Sequence, residues 1–246
     1  MSAAGTRENG SVADSPRGGA PAPQVRDMFA RIAPTYDLLN HLLSAGRDRA
    51  WRRVVARSLD ARARRILDLC AGTGDLALEI ARQHPQAAVV CGDFCLEMLS
   101  RGRGKGLVHH TAPAVCDALR LPFASGSFDA ITVAFGVRNF ERVERGLAEM
   151  RRVLRPGASL AVLEFFRSDS RWRDLPFQVY FRHVLPRVGR LVSRDHEAYS
   201  YLPRSVGRFV TRREFEDLLC QAGFTDVRRR ELNAGVATLY VARARD

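Results

Sequence analysis

No stretch of this 246-residue chain approaches the roughly 18 apolar residues that a membrane-spanning helix needs. The first residues also lack the charged, apolar and small-residue succession of a secretory signal, so a cytoplasmic protein is expected. Cysteine is sparse: Cys70, Cys91, Cys95, Cys116 and Cys220 are odd in number, irregularly spaced and never arranged as C-x-x-C. That excludes a zinc ribbon or a disulfide framework and leaves buried free thiols and no metal site. Acidic residues are outnumbered 27 to 39, giving a net charge of +12 carried overwhelmingly by arginine. Such a surface suits polyanions such as nucleic acid or an anionic membrane face. Arginine enrichment alone is weak evidence, because genome composition can produce it.

The chain has no internal repeats. Residues 1–24 are rich in Ala, Gly, Ser and Pro, carry almost no large apolar side chains, and read as a disordered tail. Residues 25–246 read as a single domain. From 25 to 59, apolar residues recur at helical spacing, punctuated by Pro34 and Gly46 into two or three helices. Strand-like runs near 65–69, 87–92, 112–116, 128–134 and 158–164 then alternate with helices near 75–83, 95–103 and 142–153. That alternation predicts a parallel sheet with right-handed crossovers and a ligand site outside the strands' carboxyl ends. After a helix at 212–222, the runs 224–232 and 236–242 are separated only by Asn233-Ala234-Gly235 and must form an antiparallel hairpin. The fold class is therefore α/β: a Rossmann-like, seven-stranded, mostly parallel sheet with a C-terminal antiparallel hairpin and helices on both faces.

The richest signal is Ile66-Leu67-Asp68-Leu69-Cys70-Ala71-Gly72-Thr73-Gly74-Asp75, an apolar run entering a glycine turn that opens an amphipathic helix. Glycine admits the backbone close to a ligand, and a helix start presents free N–H groups to it. Gly72-x-Gly74-x-x-Ala77 satisfies the loose dinucleotide fingerprint, and Asp93, ending the second strand, suits the hydroxyls of an adenosine ribose. Both fit NAD as well as S-adenosylmethionine. Asp68 and Asp75 break the tie, because carboxylates around the turn repel a pyrophosphate and attract a sulfonium carrying an α-amino group. Asp117-Ala118 follows the third strand, where an adenine amine could be read. Each aspartate alone could equally be a helix cap or a turn residue.

With Ser127-Phe128-Asp129 and Val153-Leu154-Arg155-Pro156-Gly157, these words in order resemble the class I S-adenosylmethionine-dependent methyltransferases. Tyr36-Asp37-x-x-Asn40 and Ser44-x-Gly46-x-Asp48-Arg49-x-Trp51 narrow the resemblance to the quinone-biosynthesis C-methyltransferases. So do Phe135-Gly136-Val137-Arg138-Asn139, Leu163-Glu164-Phe165 and Tyr199-x-Tyr201-Leu202-Pro203-x-Ser205-Val206. The resemblance covers residues 25 to 242 and departs at Ala158, Cys95 and Val210.

The resemblance implies S-adenosylmethionine as cofactor, contacted by Tyr36, Asp68, Gly72, Thr73, Gly74, Asp93, Met98, Asp117, Ala118 and Ala134. It implies C-methylation of a prenylated quinol in menaquinone or ubiquinone synthesis. The ring carbon becomes nucleophilic once its ortho hydroxyl ionises. For a phenol of pKa about 10, that costs about 4 kcal/mol at neutral pH. Arg138 is the candidate to stabilise the oxyanion and Asn139 to orient the hydroxyl or a water. The bland alternative pairs Arg138 with a carboxylate and makes Asn139 a turn cap. His183 and His196 are weaker candidate proton acceptors.

Residues 165–211 mix large apolar side chains with nine arginines against four carboxylates. They read either as a helical lid over a prenyl tail, with a basic rim on anionic headgroups, or as an ordinary packed helix. A peripheral position at the inner membrane face and a homodimer stay open. Nucleic acid is not expected as a partner, since the Asn/Asp-Pro-Pro-aromatic motif of base amine methylation is missing. Competing readings are methylation of another small aromatic metabolite, an RNA methyltransferase, and a non-catalytic subunit of a quinone-synthesis complex.

Overall fold

The computed structural model describes residues 19–107, 111–167 and 196–245, with the backbone alone for 196–200. Three helices come first: α1 (Ala22–Ile32), α2 (Tyr36–Leu43) and α3 (Asp48–Arg57). The alternation follows as β1 (Arg65–Leu69), α4 (Asp75–Gln83), β2 (Ala88–Asp93), α5 (Leu96–Arg103), β3 (Thr111–Val115) and β4 (Phe128–Ala134). A 3-10 turn at Val137–Asn139 leads to α6 (Val143–Val153) and β5 (Leu154–Glu164). The described chain closes with α7 (His196–Arg208), α8 (Arg212–Gln221), β6 (Phe224–Leu232) and β7 (Ala237–Ala244).

The seven strands pair in the order β3-β2-β1-β4-β5-β7-β6, with β1 to β5 parallel and β7 antiparallel to both neighbours. The hairpin thus extends the sheet beyond β5, as its short turn required. Apolar side chains divide between the two faces. Phe128, Ile131, Leu147, Phe215 and Tyr240 belong to one buried cluster, and Trp51, Val55, Leu76, Ile80 and Leu239 to the other. The sheet is covered on both faces, as a mostly parallel sheet must be.

One boundary moves. The tail expected over 1–24 gives way to α1 at Ala22, and Gly19 already donates its N–H to the Phe140 carbonyl at 2.6 Å. The prolines that suggested disorder sit at Pro21 and Pro23, at and just after the helix start, where a missing N–H costs nothing. The expected segment 165–211 falls largely outside the described residues. Its described parts are 165–167, where Arg167 bridges to Thr211, and 196–211, which includes α7.

The chain runs outward from β1 to β3 and then returns to β4, so the switch point lies between β1 and β4. Ligands on such sheets bind outside the strand ends at that point. Here Cys70 follows β1 at φ +57° and Phe135 follows β4 at φ +58°. Left-handed backbone at two adjacent non-glycine positions is a strain usually held at functional sites. Gly136 makes the close approach feasible, because a Cβ there would stand 2.5 Å from Cys70 Cβ.

Candidate active site

The glycine turn follows β1 with Gly72 at φ +57° and Gly74 at φ +82°. Helix α4 starts without a side-chain cap, leaving its first N–H groups to other partners. Asp93, at the end of β2, braces the turn. Its Oδ2 accepts from Gly72 N–H at 2.7 Å and its Oδ1 from Cys95 N–H at 2.9 Å. The carboxylate keeps acceptor capacity for a further donor such as a ribose hydroxyl. Burial lifts the Asp93 carboxyl above its ordinary range, and the backbone N–H groups oppose that rise.

A cavity of ≈ 720 Å³, open to solvent, occupies the switch point. Gly72, Asp93, Met98, Asp117, Ala118, Ala134 and Asn139 line it together with Tyr36 and Phe94. Asp117 is anchored there by accepting from Leu119 N–H at 2.8 Å. Beside it lies a smaller polar recess lined by Tyr36, Asn40, Arg52, Asp68, Thr73, Asp75 and Ala134. Asp68 is wholly buried and accepts from Thr132 Oγ1 at 2.7 Å, while its Oδ2 has no hydrogen-bond partner among the described residues. Burial pushes its carboxyl up to about 7.

These features fit S-adenosylmethionine. A Cβ on Gly72 would reach within 3.3 Å of Met98 Cε, narrowing the cradle. The orphaned Asp68 oxygen suits a cationic donor, and Asp93 and Asp117 suit a nucleoside. Nine of the ten expected cofactor residues line one of the two spaces. Gly74 alone does not, and its role is packing, because a Cβ there would meet Leu107 Cδ1 at 2.3 Å. Asp75 also departs from expectation. Its carboxylate is taken by Lys105 Nζ at 2.5 Å and Arg52 Nη2 at 3.3 Å, so its charge is already matched. Lys105 further contacts Asp37 Oδ2 at 2.6 Å and Thr73 Oγ1 at 2.8 Å, tying α2 to the glycine turn.

A second cavity of ≈ 1000 Å³, also open to solvent, adjoins the first and shares Phe29, Tyr36 and Phe135 with it. Met28, Ile32, Leu39, Leu43, Trp51, Phe165, Leu202 and Val236 make most of its wall apolar. Phe135 stacks on Phe165 with centroids 4.5 Å apart, and Trp51 Nε1 donates to Asn233 Oδ1 at 2.5 Å. Arg138 lies on this wall. Its Nη1 donates to Glu164 Oε1 at 2.7 Å and to the Phe135 carbonyl at 2.6 Å, while its buried Nε has no partner among the described residues. Asn139 Oδ1 accepts from Tyr201 Oη at 2.9 Å. Both halves of the sequence reading therefore coexist: Arg138 pairs with a carboxylate and still faces the cavity.

Sequence reasoning gave no role to Asp37, Arg52, Lys105, Glu164 or Tyr201. All but Arg52 and Lys105 stand inside quoted signatures, so attention to those words could have found them. His183 lies outside the described residues, and nothing is described of the His196 side chain.

Architecture and cavities together define a class I S-adenosylmethionine-dependent methyltransferase. Human N-acetylserotonin methyltransferase, solved in complex with S-adenosylmethionine, superposes with a TM-score of 0.61 at 18% identity, covering 92% of this chain and 61% of that one. The [4+2]-cyclase SpnF superposes with a TM-score of 0.65 at 18% identity, covering 93% and 99%. A cyclase on this scaffold shows that the fold alone does not dictate the reaction.

Residues 19–243 match the ubiE/COQ5 methyltransferase family, and the chain belongs to it. Demethylmenaquinone methyltransferase of Deinococcus radiodurans is 46% identical over 220 residues, covering 88% of this chain and 91% of the relative. That of Thermus thermophilus is 47% identical over 219 residues, covering 87% and 98%. The ubiquinone/menaquinone biosynthesis C-methyltransferase UbiE of a Geobacter species is 44% identical over 229 residues, covering 89% and 95%. The fold class and the cofactor expected from sequence both stand.

Proposed function

We propose that this enzyme methylates a ring carbon of a prenylated quinol in menaquinone or ubiquinone biosynthesis. The names of its relatives support that reading, and one observation carries it: an apolar cavity abuts the cofactor cavity across Tyr36 and Phe135. The shared wall lets a flat ring approach the cofactor while an isoprenoid chain runs along Met28, Ile32, Leu39 and Leu43. When bound, the cofactor supplies an electrophilic methyl group on a sulfonium.

The chain's own residues supply positioning and electrostatics. Arg138 keeps a fixed positive charge beside the hydroxyl that must ionise, and its unpartnered Nε is a donor for the oxyanion. Glu164 holds the guanidinium in place through Nη1. Asn139, fixed by Tyr201, orients the ring hydroxyl or a water. Aromatic side chains at Trp51, Phe135 and Phe165 pack together and give the ring a flat apolar wall.

The hydrophobic substrate favours a protein that works at the cytoplasmic membrane face. Leu38 and Leu42, on one side of α2 next to the apolar cavity, are 54% and 43% exposed, and the net charge of +12 complements anionic headgroups. No described helix is long and apolar enough to cross a membrane. Flotation with anionic vesicles should carry the protein upward, and far less of a Leu38→Glu/Leu42→Glu variant.

The decisive assay incubates the full chain with S-adenosylmethionine and either a demethylmenaquinol or a polyprenyl methoxybenzoquinol, with product read by mass spectrometry. Methylated product from one quinol is expected. Calorimetric uptake of S-adenosylmethionine without product from either quinol would overturn the substrate assignment.

A further inference from the structure

Ring methylation releases one proton overall. The hydroxyl gives up its proton, the ortho carbon takes the methyl group as the S–CH3 bond breaks, and that carbon then loses its hydrogen as a proton. The carbonyl oxygen regains one proton, so one remains to be exported. Among the cavity-lining groups, Arg52 and Arg138 already carry their protons, and Tyr36 and Tyr201 are phenols whose ionisation burial disfavours.

We propose that Asp48 and His41 form the proton exit from the acceptor cavity, with Asp48 as the acceptor inside and His41 as the group that releases to water. This rests on the quinol-methylation reading and adds a catalytic residue to it. Asp48 stands in the first turn of α3, lines the cavity and is only 5% exposed. Its Oδ1 lies 3.0 Å from His41 Nδ1 and accepts from Ser44 Oγ at 2.9 Å, and its Oδ2 accepts from Arg52 Nη1 at 2.5 Å. The His41 side chain is 40% exposed. One carboxylate thus touches the cavity on one side and a solvent-accessible imidazole on the other.

Of the groups bonded to Asp48, only His41 can take up a proton near neutral pH. Arg52 stays charged, and Ser44 donates a hydroxyl. Burial would raise the Asp48 carboxyl, but the Arg52 guanidinium and the Ser44 hydroxyl oppose it and the group is held below its ordinary range. It therefore passes a proton on and does not store it. With its own hydrogen on Nε2, His41 receives that proton at Nδ1, and the pair goes from carboxylate–imidazole to carboxylate–imidazolium. The imidazolium then gives its Nε2 hydrogen to water, and exchange of the remaining hydrogen from Nδ1 to Nε2 through water restores the starting tautomer. The charges around the pair are Arg52 on α3, Asp75 at the start of α4 behind Arg52, Lys105 on Asp75, and Arg138 on the wall of the same cavity.

The test measures kcat of the full chain between about pH 5 and 9 at saturating S-adenosylmethionine and quinol, the window in which imidazole titrates. Wild-type kcat should fall as pH drops through that window. His41→Asn should lower kcat by a factor on the order of 100 and lose the acid limb, with S-adenosylmethionine affinity unchanged. Added imidazole should restore His41→Ala, an outcome that loss of a merely structural contact would not produce. A wild type with kcat flat across the range overturns the relay whether or not any variant folds. So does a folded His41→Asn with the wild-type rate and profile. A wild type inactive on both quinols overturns instead the acceptor assignment, and the relay falls with it.

Discussion

Arg138, in the turn after β4, and Glu164, the last residue of β5, form a buried ion pair with Nη1 2.7 Å from Oε1. Burial lifts the Glu164 carboxyl above its usual range, and the Arg138 guanidinium pulls it back. Removing one partner leaves a buried charge uncompensated, which costs about 3–5 kcal/mol. Glu164→Gln should therefore lower stability by that order in urea unfolding. Where the variant still folds, kcat should drop while S-adenosylmethionine affinity holds, because Glu164 orients Arg138 and does not line the cofactor cavity. Equal stability in both proteins would disprove the buried pair.

Arg138→Lys separates charge from geometry. Lysine keeps the positive charge but lacks the planar fork that serves Glu164 and the Phe135 carbonyl together. Turnover should fall at least about tenfold, with cofactor uptake intact by calorimetry. Wild-type turnover would show that a point charge suffices and that Nε plays no part.

Asp68 links cofactor binding to pH. Its carboxyl sits at about 7 when folded, so between about pH 4 and 7 the folded chain holds a proton that the unfolded chain has released. Stability then decreases as pH rises through that window and levels off above it, by an amount on the order of 4 kcal/mol. Asp68→Asn should lack that slope, which urea midpoints across the range would reveal. A cationic cofactor beside Asp68 favours the ionised form, so binding near pH 6.5 should release a proton. Titrations in buffers of different ionisation enthalpy would detect it, and Asp68→Asn should abolish it.

Much of this architecture is legible in the chain because short-range rules dominate there. The β–α alternation, the 233–235 turn and the glycine turn each follow from periodicity or backbone sterics over a few residues, and their boundaries agree within a few positions. What escaped notice depends on distant pairing. Lys105 meets Asp37 and Asp75 only after the sheet has brought α2, α4 and the loop after α5 together. Glu164 was visible as a word, yet its bond to Arg138 depends on the register of β4 and β5. The start of α1 was missed because Pro21 and Pro23 look the same in a tail and at a helix start.

Gly72 and Gly74 share a left-handed backbone but should fail differently. Alanine at either position carries a cost of roughly 1–2 kcal/mol for that conformation. At Gly74 the added methyl also strikes Leu107 Cδ1 at 2.3 Å inside the core, so overpacking adds about 1–3 kcal/mol. At Gly72 it points toward Met98 and Tyr36 on the cofactor side. Gly74→Ala should thus show the larger drop in unfolding midpoint, and Gly72→Ala the larger loss of S-adenosylmethionine affinity for its smaller loss of stability. The reverse order would misplace the cradle.

Lys105 is the only lysine in a chain whose other basic residues are all arginine. Three acceptors converge on its Nζ within 2.8 Å: Asp37, Asp75 and Thr73. A compact ammonium with three rotatable donors satisfies that cluster, whereas a planar guanidinium is too wide for it. These ion pairs are partly exposed, so Lys105→Met should change stability by no more than about 1 kcal/mol. Its effect should fall on the cofactor, because Thr73 and Asp75 line the recess beside Asp68. S-adenosylmethionine affinity should drop several-fold in Lys105→Met, and Lys105→Arg should not restore it. Because the chain holds a single side-chain amine, peptide mapping by mass spectrometry can follow its acylation apart from that of the terminal amine. S-adenosylhomocysteine should slow that modification if Lys105 fastens α2 over the occupied turn. Labelling at the same rate with and without ligand, together with unchanged affinity in Lys105→Met, would reduce these contacts to a surface ion pair.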